Sequence, residues 1–145
     1  MRLGLSSGLA YGGFVPSSIN LLDLSPMAAY SLRSFDSSAD PNVVNVRRSS
    51  DNATQDFKAS EITDGTLATW VGSGNDGFIA TWYDQSSNSE NATQTTASQQ
   101  PKIVSSGTVV LENSKPAIDF DGSDDELVLG NAILSTSSTR NYSAV

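Results

Sequence analysis

Short apolar runs separated by polar clusters dominate the chain, and the first clear alternation lies in Val43–Phe57, VVNVRRSSDNATQDF. Val44 and Val46 fall on one face of an extended chain while Asn45 and Arg47 fall on the other, the period of two that marks a strand. The pattern breaks at Arg48-Ser49-Ser50-Asp51-Asn52, where side chains that hydrogen-bond to nearby backbone favour a turn. Phe78-Ile79-Ala80-Thr81-Trp82-Tyr83 carries large or apolar groups on both faces and predicts a central strand. Further short strands are expected at Pro101–Val104, Thr108–Leu111, Pro116–Phe120 and Glu126–Leu129, with turn residues at 105–107, 112–114 and 121–124. Regular short strands joined by polar turns predict an all-β sandwich.

Two stretches depart from this rhythm. Ser25 as N-cap, Pro26 at the first helical position, and Met27, Ala28, Tyr30, Leu32 and Phe35 beyond it predict one short helix. Asp36-Ser37-Ser38 and Asp40-Pro41 would stop it. In residues 1–20, Leu3, Leu5, Leu9, Tyr11, Phe14 and Val15 are spaced by Gly and Ser, and Pro16 closes the run. Two readings of that segment stand: a frayed terminus, or an extended arm that docks its apolar side chains on another chain. The expected organisation is therefore an arm over 1–20 and a β-sandwich body over 21–145. Asn141–Val145 reads as the opening of a strand, so the sandwich is expected to be completed either by sequence beyond Val145, the favoured reading, or by another chain.

Composition narrows the chemistry. With no Cys and no His among 145 residues, disulfides, thiolate metal sites and histidine-based triads are excluded. Sixteen acidic against eight basic residues give a net charge of −8 with no basic stripe, so nucleic acid is not an expected partner. No apolar run approaches the roughly 20 residues that span a bilayer, so no membrane partner is expected either. Met1–Val15 lacks the continuous apolar core of a secretory signal.

Candidate chemistry gathers at three places. Arg47 and Arg48 beside Asp51 and Asp56 offer forked donors next to carboxylates: either an internal ion pair pinning a strand end, or a polar site for a sugar or an anion. Trp82, Asp84 and Gln85 combine a stacking ring with groups that take hydroxyls, the equipment of a carbohydrate site, or they simply close a turn. Asp119, Asp121, Asp124, Asp125 and Glu126 form the densest acidic run, but their spacing is not that of an EF-hand and DGSDD reads as a tight turn. No metal, no cofactor and no catalytic residue is assigned. Asn52, Asn91 and Asn141 open formal glycosylation sequons, which carry no weight without a secretory segment.

Ala29–Arg33, Val46–Thr54, Thr81–Ser86, Asn91–Gln94 and Lys115–Gly122, in that order, resemble the N-terminal part of the catalytic domain of fungal type-B α-L-arabinofuranosidases, glycoside hydrolase family fifty-four. The resemblance covers roughly residues 27–130. It implies a concanavalin-like β-sandwich, but no activity, because that family's nucleophile and acid/base lie further along than this chain reaches. Similar domains occur in bacteriophage fibre and tail-associated proteins behind a short Leu/Gly-rich N-terminus, which Met1–Val15 resembles. The expectation is a virion structural protein (fibre, tail-associated or decoration subunit). Residues 1–20 would anchor it to other virion proteins, its body would be homo-oligomeric, with a trimer expected, and a surface glycan is the expected ligand. The alternatives are an extracellular arabinofuranosidase-like fragment and a stand-alone carbohydrate-binding module.

Overall fold

A computed structural model of the protein describes Leu22 and residues 25–130. The expected arm, with Leu3, Leu5, Leu9, Tyr11 and Phe14, lies outside the described residues, as does the strand opening expected at 141–145. The architecture is all-β, with antiparallel pairing throughout and only short helices. The strands are β1 (Asn42–Arg48), β2 (Thr54–Lys58), β3 (Gly77–Trp82), β4 (Ala92–Thr93), β5 (Lys102–Ser105), β6 (Thr108–Val109), β7 (Leu111–Glu112), β8 (Lys115–Pro116) and β9 (Val128–Leu129).

The alternation in Val43–Phe57 becomes the β1–β2 hairpin, with Arg47 opposite Thr54 and Val44 opposite Phe57. Val44, Val46 and Phe57 are fully buried, and a register shift near Asn42 lets Val43 join them. As expected, β3 is central: β1 pairs with one of its edges along its length. Its other edge divides. Thr81 and Trp82 pair with β4, while Gly77 and Phe78 pair with β5. At the fork Ile79 donates its N–H to Pro101 O at 2.8 Å, and Ala80 O accepts from Gln94 N at 2.9 Å. Seven strands thus form one sheet, and β7 and β8 form a separate hairpin.

The helix expected from Ser25 to Phe35 is absent; this is a correction. Ser25 has φ +49°, a left-handed conformation rather than the extended one an N-cap needs. Backbone groups from Pro26 to Phe35 bond instead to side chains near Asp84, so tertiary partners override the local preference. Helices occur where none was read, at α1 (Ala59–Thr63) and α2 (Thr66–Val71). At five and six residues neither is stable alone. Ile62, Leu67 and Val71 hold them by burial, each contributing about 1.5–3 kcal/mol. Gly65, at φ +94°, makes the corner between the two helices, and Asp64 Oδ1 accepts the Thr66 N–H at 2.8 Å.

Ile79, Ile103 and Val104 complete one core with the β1 valines, Phe57 and the helix residues. Two glycines are required by what surrounds them. A Cβ on Gly77 would sit 3.0–3.2 Å from Val71, Val104 and Val46. One on Gly107, which has φ +83°, would sit 2.8 Å from Ser73 Cα and 2.9 Å from Gly72 O.

Candidate functional site

The arginine cluster is a structural clasp in its contacts. Arg48 holds Asp51 through Nε at 2.8 Å and Nη2 at 2.7 Å, and its Nη1 donates to Trp70 O at 2.9 Å. Its guanidinium lies 4.8 Å from the centre of the Trp70 ring. The fork from Arg48 is the main reason Asp51's pKa falls to about 2, with the Ala53 N–H adding to it. Arg47 donates Nε to Gln100 Oε1 at 2.7 Å, Nη1 to Asn52 Oδ1 at 2.9 Å and Nη2 to Ala97 O at 3.1 Å, over the Phe78 ring. Asn52, the first sequon residue, is thereby committed to Arg47. Asp56 accepts from Asn45 Nδ2 and from the Tyr83 hydroxyl, both at 2.7 Å.

Asp84 and Gln85 sit at the other end of β3. Arg47 and Arg48 face Phe78 and Gly77, whereas Trp82 pairs with Val44, so the two candidate groups do not form one site. Asp84 Oδ1 accepts the N–H groups of Ala29 at 2.7 Å and Ser86 at 2.8 Å, and Oδ2 accepts Ser86 Oγ at 2.6 Å and Glu90 N at 2.9 Å. Burial opposes ionisation of Asp84, but these donors together outweigh it and its pKa is lowered. Gln85 Oε1 accepts Phe35 N at 3.0 Å, and its Nε2 donates to Ser31 O and Arg33 O. Asn88 Nδ2 reaches Pro26 O and Met27 O, the Tyr30 hydroxyl donates to Glu90 O, and Asn91 Oδ1 accepts Asp84 N. The loop after β3 therefore works as a bracket that fixes residues 26–35 as an irregular, non-helical segment.

That bracket shapes an open cleft of about 480 Å³, lined by Ser31, Leu32 and Arg33, by Trp82, and by Lys115, Pro116, Ala117, Ile118 and Phe120. Trp82 is half-buried, stacked obliquely on Tyr30 with ring centres 5.5 Å apart, and its Nε1 has no hydrogen-bond partner. Phe120 is 45% exposed. Of the expected site residues only Trp82 lines this cleft. Arg33, Lys115, Pro116 and Phe120 fall in two of the segments that carry the family resemblance but are not read from sequence as site residues, because the two segments lie some 80 positions apart along the chain. The repeat of Ile118 and Phe120 at a spacing of two was the one available signal.

Asp121, Asp124 and Asp125 bring carboxylate oxygens within 4.8 Å of one another. Asp121 Oδ1 is already occupied by the Ser123 N–H at 2.8 Å, the chief cause of its lowered pKa, and Asp125 Oδ2 accepts the Asp121 N–H at 2.9 Å. This is the hydrogen bonding of a self-closed acidic turn.

Among the described residues no helix is long and apolar enough to cross a membrane. Comparison with protein families, with curated proteins and with solved structures finds no match for this chain.

Proposed function

We propose that the chain is a non-catalytic, glycan-binding body of a bacteriophage appendage: a fibre, tail-associated or decoration subunit built on a concanavalin-like sandwich. The observation that carries the reading is the open cleft lined by two aromatic residues, Trp82 and Phe120, together with the apolar Leu32, Pro116 and Ile118. Sugar rings present apolar C–H faces that stack on such walls. The state of the carboxylates supports binding rather than hydrolysis. Among the described residues, every aspartate whose pKa is displaced (Asp36, Asp40, Asp51, Asp64, Asp76, Asp84 and Asp121) is displaced downward. A glycosidase needs one acid held protonated near neutral pH, which is the opposite shift. Attachment is assigned to residues 1–20, whose Leu3, Leu5, Leu9, Tyr11 and Phe14 would lie on another virion protein, and the body is placed in a homotrimer on the particle.

The test has two parts. Titrating the full chain against a saccharide panel should show binding that Phe120→Ala weakens at least fivefold without changing the melting temperature. Removing residues 2–20 should leave a folded protein that no longer co-purifies with phage particles. Failure of every saccharide to bind defeats the glycan role, and retention of the truncated chain on particles defeats the arm.

A further inference from the structure

The cleft carries charge of one sign. Its charged lining residues are Arg33 and Lys115, both exposed, and the cleft has no acidic lining residue. Among the described residues neither side chain has a hydrogen-bond or ion-pair partner. Three cations of the sheet are committed, Arg47 to Gln100 and Asn52, Arg48 to Asp51, and Lys102 to Asp76 at 2.9 Å, whereas Lys58 at the end of β2 forms no ion pair among the described residues but does not line the cleft. Asp119, between two cleft residues in sequence, lines a different depression with Phe78 and Lys102. A chain with sixteen acidic and eight basic residues thus brings two cations that form no ion pair to a groove lined by Trp82 and Phe120, with Glu112 opposite Lys115 across the β7–β8 hairpin but not lining the cleft.

We propose that the cleft selects an anionic saccharide, one whose ring carries a carboxylate or a sulfate. This rests on the glycan-binding reading above and adds its ligand class. The ring faces would lie against Trp82 and Phe120 while Arg33 and Lys115 take the acidic group, Arg33 by its fork and Lys115 as a point charge. A neutral sugar gains the stacking alone. Both cations are exposed, so their attraction for the ligand weakens as salt rises.

The experiment is isothermal titration of the full chain with four probes: tetragalacturonate, sialyllactose, a sulfated heparin disaccharide, and neutral cellotetraose. The three anionic probes separate hexuronate, nonulosonate and sulfate as sources of the charge. The expected result is that at least one anionic probe binds ten times or more tighter than cellotetraose, and less tightly as NaCl rises from about 50 to 500 mM. Arg33→Gln and Lys115→Met should each weaken that binding about tenfold, the loss of one charged hydrogen bond, and Lys58→Met should not. Thermal melts of the variants confirm folding. Equal binding of cellotetraose, or indifference to both substitutions, overturns the selectivity while leaving a glycan-binding domain. No binding of any probe overturns both. A self-association that Phe120→Glu dissolves would make the cleft an interface between copies and overturn the proposal.

Discussion

Replacing Asp84 with Ala tests the link between the bracket and the cleft. The carboxylate receives four hydrogen bonds, three from the backbone N–H groups of Ala29, Ser86 and Glu90 and one from Ser86 Oγ. Alanine leaves three backbone donors without their acceptor. A buried donor so stranded costs about 1–3 kcal/mol, and the site is half-open to water, so about 1 kcal/mol each is the fair figure. The sum, about 3 kcal/mol, is a large share of the 5–15 kcal/mol typical of a domain. It corresponds to a fall in melting temperature of about 10 °C for a chain of this size. The loss should be local in origin, since Ala29 and the cleft wall at 31–33 hang on this loop. Urea unfolding followed by tryptophan fluorescence measures the stability, and amide exchange of Ala29 and Phe35 reports the loosened wall. Asp84→Asn, which keeps one acceptor oxygen, should fall between the two. A D84A protein within 0.5 kcal/mol of the parent, or with Phe35 exchange unchanged, would refute the bracket.

Four further outcomes follow from contacts described above. Gly107→Ala must accommodate a Cβ 2.8 Å from Ser73 Cα at φ +83°, so denaturant titration should find it destabilised by about 2 kcal/mol or more. Arg48→Lys removes the fork that holds Asp51, and carboxyl NMR titration should show that group rising from about 2 toward its ordinary value near 3.9. Tyr83 is raised to about 12, by burial first and then by its bond to Asp56, so the stability it contributes is complete below the unfolded value near 10 and is lost between about 10 and 12. Alkaline melts should therefore decline over that window in the parent and less steeply in Tyr83→Phe. The lowered aspartates act at the other extreme: stability present above about pH 4 is lost as the pH falls toward 2, and melts at pH 5 and pH 3 should differ.

What sequence alone conveyed was the part of the fold governed by period. Val44 and Val46 against Asn45 and Arg47, and the doubly apolar run from Phe78, placed β1 and β3 correctly because burial on a pleated sheet repeats every second residue. The helix from Ser25 was misplaced because a good N-cap and first-turn proline describe only local preference. Asp84, Gln85 and Asn88, fifty or more residues away, offered those backbone groups better partners. The helices at 59–71 escaped notice because Leu67 and Val71 mark a single turn, too short a run for periodicity to stand out. Site residues divided in the same way. Arg48 beside Asp51 was legible as an ion pair because the two lie three apart, whereas Arg33 and Lys115 come to line one cleft only through the tertiary fold.

The fork in β3 has a consequence for where this chain tolerates insertion. Where one strand hands its edge to two neighbours, those neighbours part from each other, and side chains add to the main-chain bonds that hold the junction. Gln100, 5% exposed, bridges Gln94 O and Arg47 Nε across that seam. Lengthening residues 94–101 would draw that plug out and admit water to the middle of the sheet. Extra residues grafted at Gly122–Asp124 would disturb only a turn that Asp121 ties to itself. A foreign peptide to be displayed on this scaffold belongs at the second place and not the first.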